Sequence, residues 1–365
     1  MSGPQISPAT RSKVARSVLT KNLGLRPGET VIVEAWTHTL PWAVAFAREA
    51  RRIGAYPIVP YEDEESYWDA VDEGEFNVLG VKARHEWAAL ARTNVYVHFW
   101  GPGDRARLDS LPDAQREKLF AFNKDWYATA RKAGLRGARM ELGRPFPTLA
   151  RSYGVDLAKW TGQLVRATLV DPAQFERRAA PIVRALTRGR KVRIRDPNGT
   201  DLTLALARRR VNVAAGRPRV EDRARPFDFL TGLPSGAIRV SLDESVADGT
   251  FVGNRSCYYE AMRATGPVFR FRSGRLVKAE FERGQERFDR GYRTGGKGRD
   301  RPGFLSIGLN PELKDTPQVE DLERGAVMVS VGGNGFQGGK NRSSFFGWAI
   351  NAGATVEVDG RPVPL

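Results

Sequence analysis

Phe304–Gly360 reads FLSIGLNPEL, then an acidic turn VEDLERG, then AVMVSVGGNGFQGGKNRSSFFGWAINAGATVEVDG. Apolar runs alternating at period two, broken by Gly-rich turns, predict several short antiparallel strands. Asp359-Gly360, between VEV and RPV, is a two-residue hairpin signal, because both central positions of such a turn take φ > 0.

The period-two pattern extends back to Gly189. KVRIRD, a turn at Pro197-Asn198-Gly199 and DLTLALA read as one hairpin. VFRFRSGRLV (268–277) reads as another, with Ser273-Gly274 at its tip, followed by a short helix over Lys278–Arg290 and a Gly- and Arg-rich loop of mobile type over Tyr292–Pro302. Ahead of Gly189 the pattern is different. Residues 8–22 have helical spacing and end at Gly24 and Pro27-Gly28. ETVIVEA (29–35) is a buried-strand run, LPWAVAFAREARRI (40–53) is a helix stopped by Gly54, and YPIVP (56–60) is a second strand. This β-α-β opening implies a parallel sheet with a right-handed crossover. A strand at 94–99, a long helix over 112–132, a strand at 138–142 and helices at 157–168 and 172–187 follow. The switch of period from 3.6 to 2 at Gly189 predicts the boundary. Residues 1–188 form an α/β domain with a mainly parallel sheet, and 189–365 a mostly antiparallel, β-rich (α+β) domain. No internal repeat is present.

SIGLNP, the GGNGFQGGKN turn and the closing TVEVDG resemble the C-terminal domain of the aminopeptidase T family of metallo-aminopeptidases. That fold is shared by the iron-dependent 2,5-dihydroxypyridine dioxygenases. The likeness extends through most of the chain. The opening resembles L-x-I-K-P-G-D-x-V before a strand, a helix and G-A-x-P-V. FPTLARSYGV (146–155) resembles Y-P-T-x-x-x-A-x-x-A-G-M, LPSGAIRV (233–240) resembles N-L-P-x-x-E-V-F, and Asp248-Gly249-Thr250 resembles D/E-G-T. In the peptidases the C-terminal motifs are A-E-L-G-I-G-x-N-P, D-E-N-x-x-x-H-I-A-L-G and N-x-S-x-x-H-x-D, whose Glu, Glu, His, His and Asp bind metal. Carried over, the first Glu falls on Phe304, the first His on Met328, and the last His and Asp on Phe346 and Trp348. The Glu of the N-L-P motif falls on Gly236 or Ala237. The assisting Tyr falls near Gly335. Glu323 alone lands on a ligand position. The resemblance implies the two-domain aminopeptidase T fold and a homodimer with the site near its interface.

Catalytic zinc, cobalt or iron needs several N or O ligands converging at about 2.0–2.6 Å. Phe, Met and Trp do not supply them. The three histidines, His38, His85 and His98, lie far ahead of this region and outside ligand spacing of one another. No cofactor is therefore expected; a divalent metal is the one that would fit the family. The apolar set Phe304, Met328, Phe346 and Trp348 predicts either a dry, aromatic substrate pocket or a cleft filled to become core. Asn334, Gln337, Lys340, Asn341, Arg342 and Ser344 are the nearby polar groups. Lys340 and Arg342 suit a carboxylate or phosphate, and Glu323 is a third polar contact. Cys257 is a candidate nucleophile, with Arg255 as the nearest cation, or a buried small apolar residue. Tyr258 is a candidate acid or hydrogen-bond donor, and His38, in a loop after the first strand, a candidate substrate contact.

Charge narrows the partners. The formal net charge is +16 and the pI about 10.2. Yet there is no block of five or more consecutive Lys or Arg and no nucleic-acid-binding signature. No apolar run is long enough to span a membrane, the first residues lack the apolar core of a signal peptide, and the single cysteine excludes an internal disulfide framework. A cytoplasmic protein that binds neither nucleic acid nor membrane is expected. Three functions remain. The first is a metal-independent enzyme of aminopeptidase T descent, acting on a small, anionic, aromatic or amino-acid-derived molecule. The second is a binding or scaffold protein without turnover. The third is a metal-dependent aminopeptidase with a rearranged carboxylate site, for example Asp289, Glu320, Asp321 and Glu323.

Overall fold

The computed structural model describes residues 6–219, 226–259 and 261–365. The chain divides into two compact units, Met1–Leu169 with Gly216–Pro234, and Val170–Ala215 with Ser235–Leu365.

The first unit is built on a parallel sheet in the order Tyr56–Ile58, Thr30–Trp36, Val95–Phe99, Arg136–Met140, Leu230–Leu233. Helix Leu40–Ile53 covers one face, with Trp42 stacked on Phe99 and Phe46 edge-on to it. Its stop is the expected one: Gly54 takes φ 89°, a left-handed cap that side chains resist. The segment expected as one helix over 112–132 is two, Asp113–Leu119 and Asn123–Lys132, because Phe120 leaves helical geometry between them. The strand expected at 138–142 runs Arg136–Met140, since its partner Val95–Phe99 ends opposite Met140.

The second unit is a large antiparallel sheet. Its main path runs Phe346–Ala352, Ala326–Gly332, Pro302–Gly308, Ala237–Val252, Thr200–Ala214, Lys191–Asp196, Thr355–Val358. The hairpin Val268–Arg272 with Arg275–Glu280 adds to the long central strand. Both hairpin tips are as read: Ser273 and Gly274, and Asp359 and Gly360, all have positive φ. Asp359 is fixed there by accepting hydrogen bonds from the backbone N–H groups of Arg190 and Lys191. The helix expected over 278–290 is Gln285–Thr294 instead, because residues up to Glu280 continue the hairpin ladder.

The boundary expected at Gly189 does not coincide with the division between units. Phe175, Ala179, Ile182 and Leu186, one stripe of helix Pro172–Arg188, are buried in the core of the second unit. Leu230–Leu233 returns to the sheet of the first. A change of period marks where secondary structure changes, and here that is not where the core changes.

Candidate functional site

Alternation along three neighbouring strands sets up two faces. Leu305, Ile307, Val327, Val329, Val331 and Ala349 point into the main core of the second unit. The intervening residues point the other way. Phe304, Met328 and Ile350 form a separate cluster, with Phe346 and Trp348 packed against it. Phe304 stacks on Phe346 with centroids 5.4 Å apart, and Phe346 stacks on Trp348 at 5.1 Å. Phe336, from the Gly-rich turn, sits edge-on to Phe304 and Phe346. These rings wall a cavity of about 260 Å3, completed by Arg239, Tyr258, Gln318, Glu320, Asp321 and Gln337.

The polar wall is organised around two adjacent carboxyls. Asp321 Oδ2 accepts from Arg239 Nε at 3.0 Å and Nη2 at 2.7 Å, and from Ser306 Oγ at 2.9 Å. Glu320 is buried; its Oε1 accepts from Trp348 Nε1 at 3.2 Å and from the backbone N–H of Tyr258 at 3.3 Å. Burial, reinforced by the charge of Asp321, pushes the Glu320 carboxyl up to about 8, so it holds its proton at neutral pH. Burial likewise pushes the Tyr258 phenol up to about 12. The pocket thus presents one fixed ion pair, one neutral acid and stacked rings.

The structure brings together Phe304, Met328, Phe346, Trp348, Tyr258 and Gln337, with Glu320 and Asp321 of the carboxylate set. Glu323, Lys340, Arg342, Asn334 and His38 lie elsewhere. Glu323 is held by Arg255 through two bonds of 2.8 and 2.7 Å and accepts from the Asp315 N–H at 2.9 Å. It is a structural ion pair, not a lining group. Lys340 and Arg342 line a different cleft, of about 650 Å3, with the loop Gly295–Gly298; Gly338, at φ 85°, turns the chain toward it. Asn334 is buried beneath the turn, donating to Glu244 Oε1 and to the Gly303 carbonyl at 2.9 Å each. His38 belongs to the first unit, where Nε2 pairs with the Gly143 carbonyl at 2.9 Å and Nδ1 lies 3.3 Å from Glu64.

Cys257 is wholly buried, its Sγ–H donating to the Trp348 carbonyl at 3.3 Å. Burial first, and then the nearby Glu320, hold its thiol well above the ordinary range. It is a packed small side chain, not a nucleophile. In the native protein Cys257 is expected to react with Ellman's reagent at least about a hundredfold more slowly than in the urea-unfolded chain. Equal rates would contradict the burial.

Sequence reasoning gave Glu320 and Asp321 only as metal ligands and passed over Arg239. Its signal was available: Arg239 is the one cation in the apolar run of LPSGAIRV, and in register it lies opposite Ser306 on the same face.

The carboxylates of the rearranged ligand set are engaged by other side chains. Asp289 accepts from Gln285 at 2.8 Å, Asp321 is taken by Arg239 and Glu323 by Arg255. Among the described residues no group of three or more His, Cys, Asp or Glu could hold an ion. Nor, among those residues, is any helix long and apolar enough to cross a membrane.

The sequence matches the family described as thermophilic metalloprotease (M29) over residues 9–295, a span that ends ahead of strand Pro302–Gly308. No curated protein sequence gives a significant match. Among solved structures, wild-type AmpT from Thermus thermophilus is similar over 98% of this chain and 97% of that one, at TM-score 0.69 and 19% identity. The 2,5-dihydroxypyridine dioxygenase from Pseudomonas putida KT2440 is similar over 99% of this chain and 97% of that one, at TM-score 0.62 and 15% identity. At such identities the likeness establishes the fold.

Proposed function

This chain belongs to the thermophilic metalloprotease (M29) family, and we propose that it works in that frame without a catalytic metal, as an enzyme on a small aromatic or amino-acid-derived molecule. One observation carries the reading. Four positions that match metal ligands in the family motifs, Phe304, Met328, Phe346 and Trp348, converge on one aromatic pocket, and burial raises the pKa of the Glu320 carboxyl beside them. A cavity of about 260 Å3 suits one ring with short substituents. Stacked rings supply the binding surface, and Glu320 is placed to donate a proton to a basic atom of the bound molecule. A carboxyl that titrates near working pH is the form general acid catalysis requires. The Asp321–Arg239 pair would orient the polar end of the substrate, and an anionic group there would compete with Asp321 for Arg239.

Elemental analysis of protein purified without chelators or a metal-binding tag comes first. Metal well below one equivalent per chain is expected; about one or two equivalents of zinc, manganese, cobalt or iron would overturn the reading. A panel of single-ring molecules is then screened by thermal stabilisation, and the binders are assayed for turnover. Glu320→Gln is expected to keep binding and lose about a hundredfold or more in turnover. Binding with no turnover by the wild-type protein would instead mark a binding protein.

A further inference from the structure

The first unit carries a second polar site, unrelated to the pocket just described. Parallel sheets covered on both faces are normally apolar throughout. One face here obeys that rule: Val33, Val97 and Ala138 are side by side and fully buried. On the other face the next row is Glu34, His98 and Arg139, again side by side in register. The sheet order reverses between Thr30–Trp36 and Val95–Phe99, since the strand that follows Thr30–Trp36 in sequence lies on its other side. The carboxyl ends of such a strand pair are where open α/β sheets bind ligands, and Glu34 and His98 sit across that junction.

Two cavities open on this face, of about 430 and 280 Å3, sharing Glu34, Lys82, Tyr96 and Trp126 as walls. Their charges are opposite. The larger adds Glu62 and Glu86; the smaller adds Arg105 and Arg139. Lys82 reaches Glu86 at 3.0 Å and Glu34 at 3.9 Å, so one cation serves three carboxylates in the larger chamber. Burial, with Lys82 opposing and the charges of Glu34 and Glu86 adding, pushes the Glu62 carboxyl up. A second cation there would relieve it. In the smaller chamber the Arg139 guanidinium lies 5.8 Å from the rings of both Trp100 and Tyr127, and Arg105 pairs with Asp109 at 2.9 Å. His98 Nδ1 is buried without a hydrogen bond, 3.5 Å from Glu34.

We propose that this face binds a bipolar aromatic molecule. Its ammonium end lies in the chamber of Glu62 and Glu86, its ring against Tyr96 and Trp126, and its anionic end at Arg139. Fixed charges of opposite sign at the two ends of an aromatic slot select for that distribution in the ligand.

Isothermal titration of the full chain with para-aminomethylbenzoate, benzylamine and benzoate tests this. The bipolar probe is expected to bind at least about tenfold more tightly than either half. Arg139→Gln should weaken para-aminomethylbenzoate and benzoate about tenfold and leave benzylamine unchanged. Glu62→Gln should weaken para-aminomethylbenzoate and benzylamine and leave benzoate unchanged. Phe346→Ala, in the wall of the other pocket, should alter none of the three; a loss there would put the probe in that pocket and overturn the proposal. Equal affinities for the three probes, no binding of any, or variants that bind as wild type would overturn it equally. Circular dichroism melts confirm that each variant is folded.

Discussion

At pH 8 the Glu320→Gln protein is expected to melt several degrees above wild type, and at pH 5 the two are expected to melt together. In the unfolded chain this carboxyl loses its proton near its ordinary value of 4.5; in the folded chain it keeps it until about 8. Between those values the folded state binds the extra proton, so wild-type stability falls as pH rises, and it levels off above about pH 8. Glutamine cannot ionise, yet its Oε1 can still accept from Trp348 Nε1 and the Tyr258 N–H. The variant is therefore flat through that window. The difference at pH 8 is on the order of a few kcal/mol. Thermal and urea melts at both pH values check it, and a variant that tracks wild type at pH 8 would show that Glu320 is already ionised. Gaining stability while losing turnover is the expected sign of a site kept under electrostatic strain for its chemistry.

The second large effect is structural. Glu244→Ala is expected to cost about 3 kcal/mol, because it leaves the Arg209 guanidinium partly buried without its carboxylate. Glu244 is the hub of the Gly-rich turn. It takes two bonds from Arg209, at 2.6 and 2.7 Å, and one each, at 2.9 Å, from Asn334 Nδ2 and the Lys340 N–H. Against the cost of burial, these bonds hold its carboxyl down to about 2. Its stabilising contribution is thus complete above about pH 4.5 and is lost as pH falls toward 2. The variant and wild type should therefore converge in acid melts and separate at neutral pH. The turn also carries Phe336 onto the aromatic stack, so the variant should bind any pocket ligand more weakly; unchanged affinity would show that the turn holds its place without this hub.

What the sequence made readable was periodic. The strands around SIGL and AVMVSV follow a two-residue alternation, so the face shared by Phe304, Met328, Phe346 and Trp348 could be inferred without coordinates. What it hid depended on distant partners and single dihedrals. Glu323 and Glu320 are three residues apart in one acidic turn. Only the position of Arg255, 68 residues away in sequence, determines that the first is tied up, and only the face of a short 3-10 turn turns the second toward the rings. Lys340 and Arg342 follow the left-handed Gly338 and line the cleft of loop Gly295–Gly298, not the aromatic pocket. The polar row Glu34, His98, Arg139 is spread over strands far apart in sequence, and no local pattern announces it.

The return of Leu230–Leu233 to the sheet of the first unit bears on how the chain comes off the ribosome. Strand Arg136–Met140 is paired on one side by Val95–Phe99 and on the other by Leu230–Leu233. Until that late strand has been synthesised, the nascent sheet ends in an open edge, the kind of edge that recruits other chains. The intervening Val170–Ala215 must meanwhile wait for Ser235–Leu365, since they belong to one core. Neither unit is complete until the other has begun, so a fragment cut at residue 188 should aggregate where the whole chain does not.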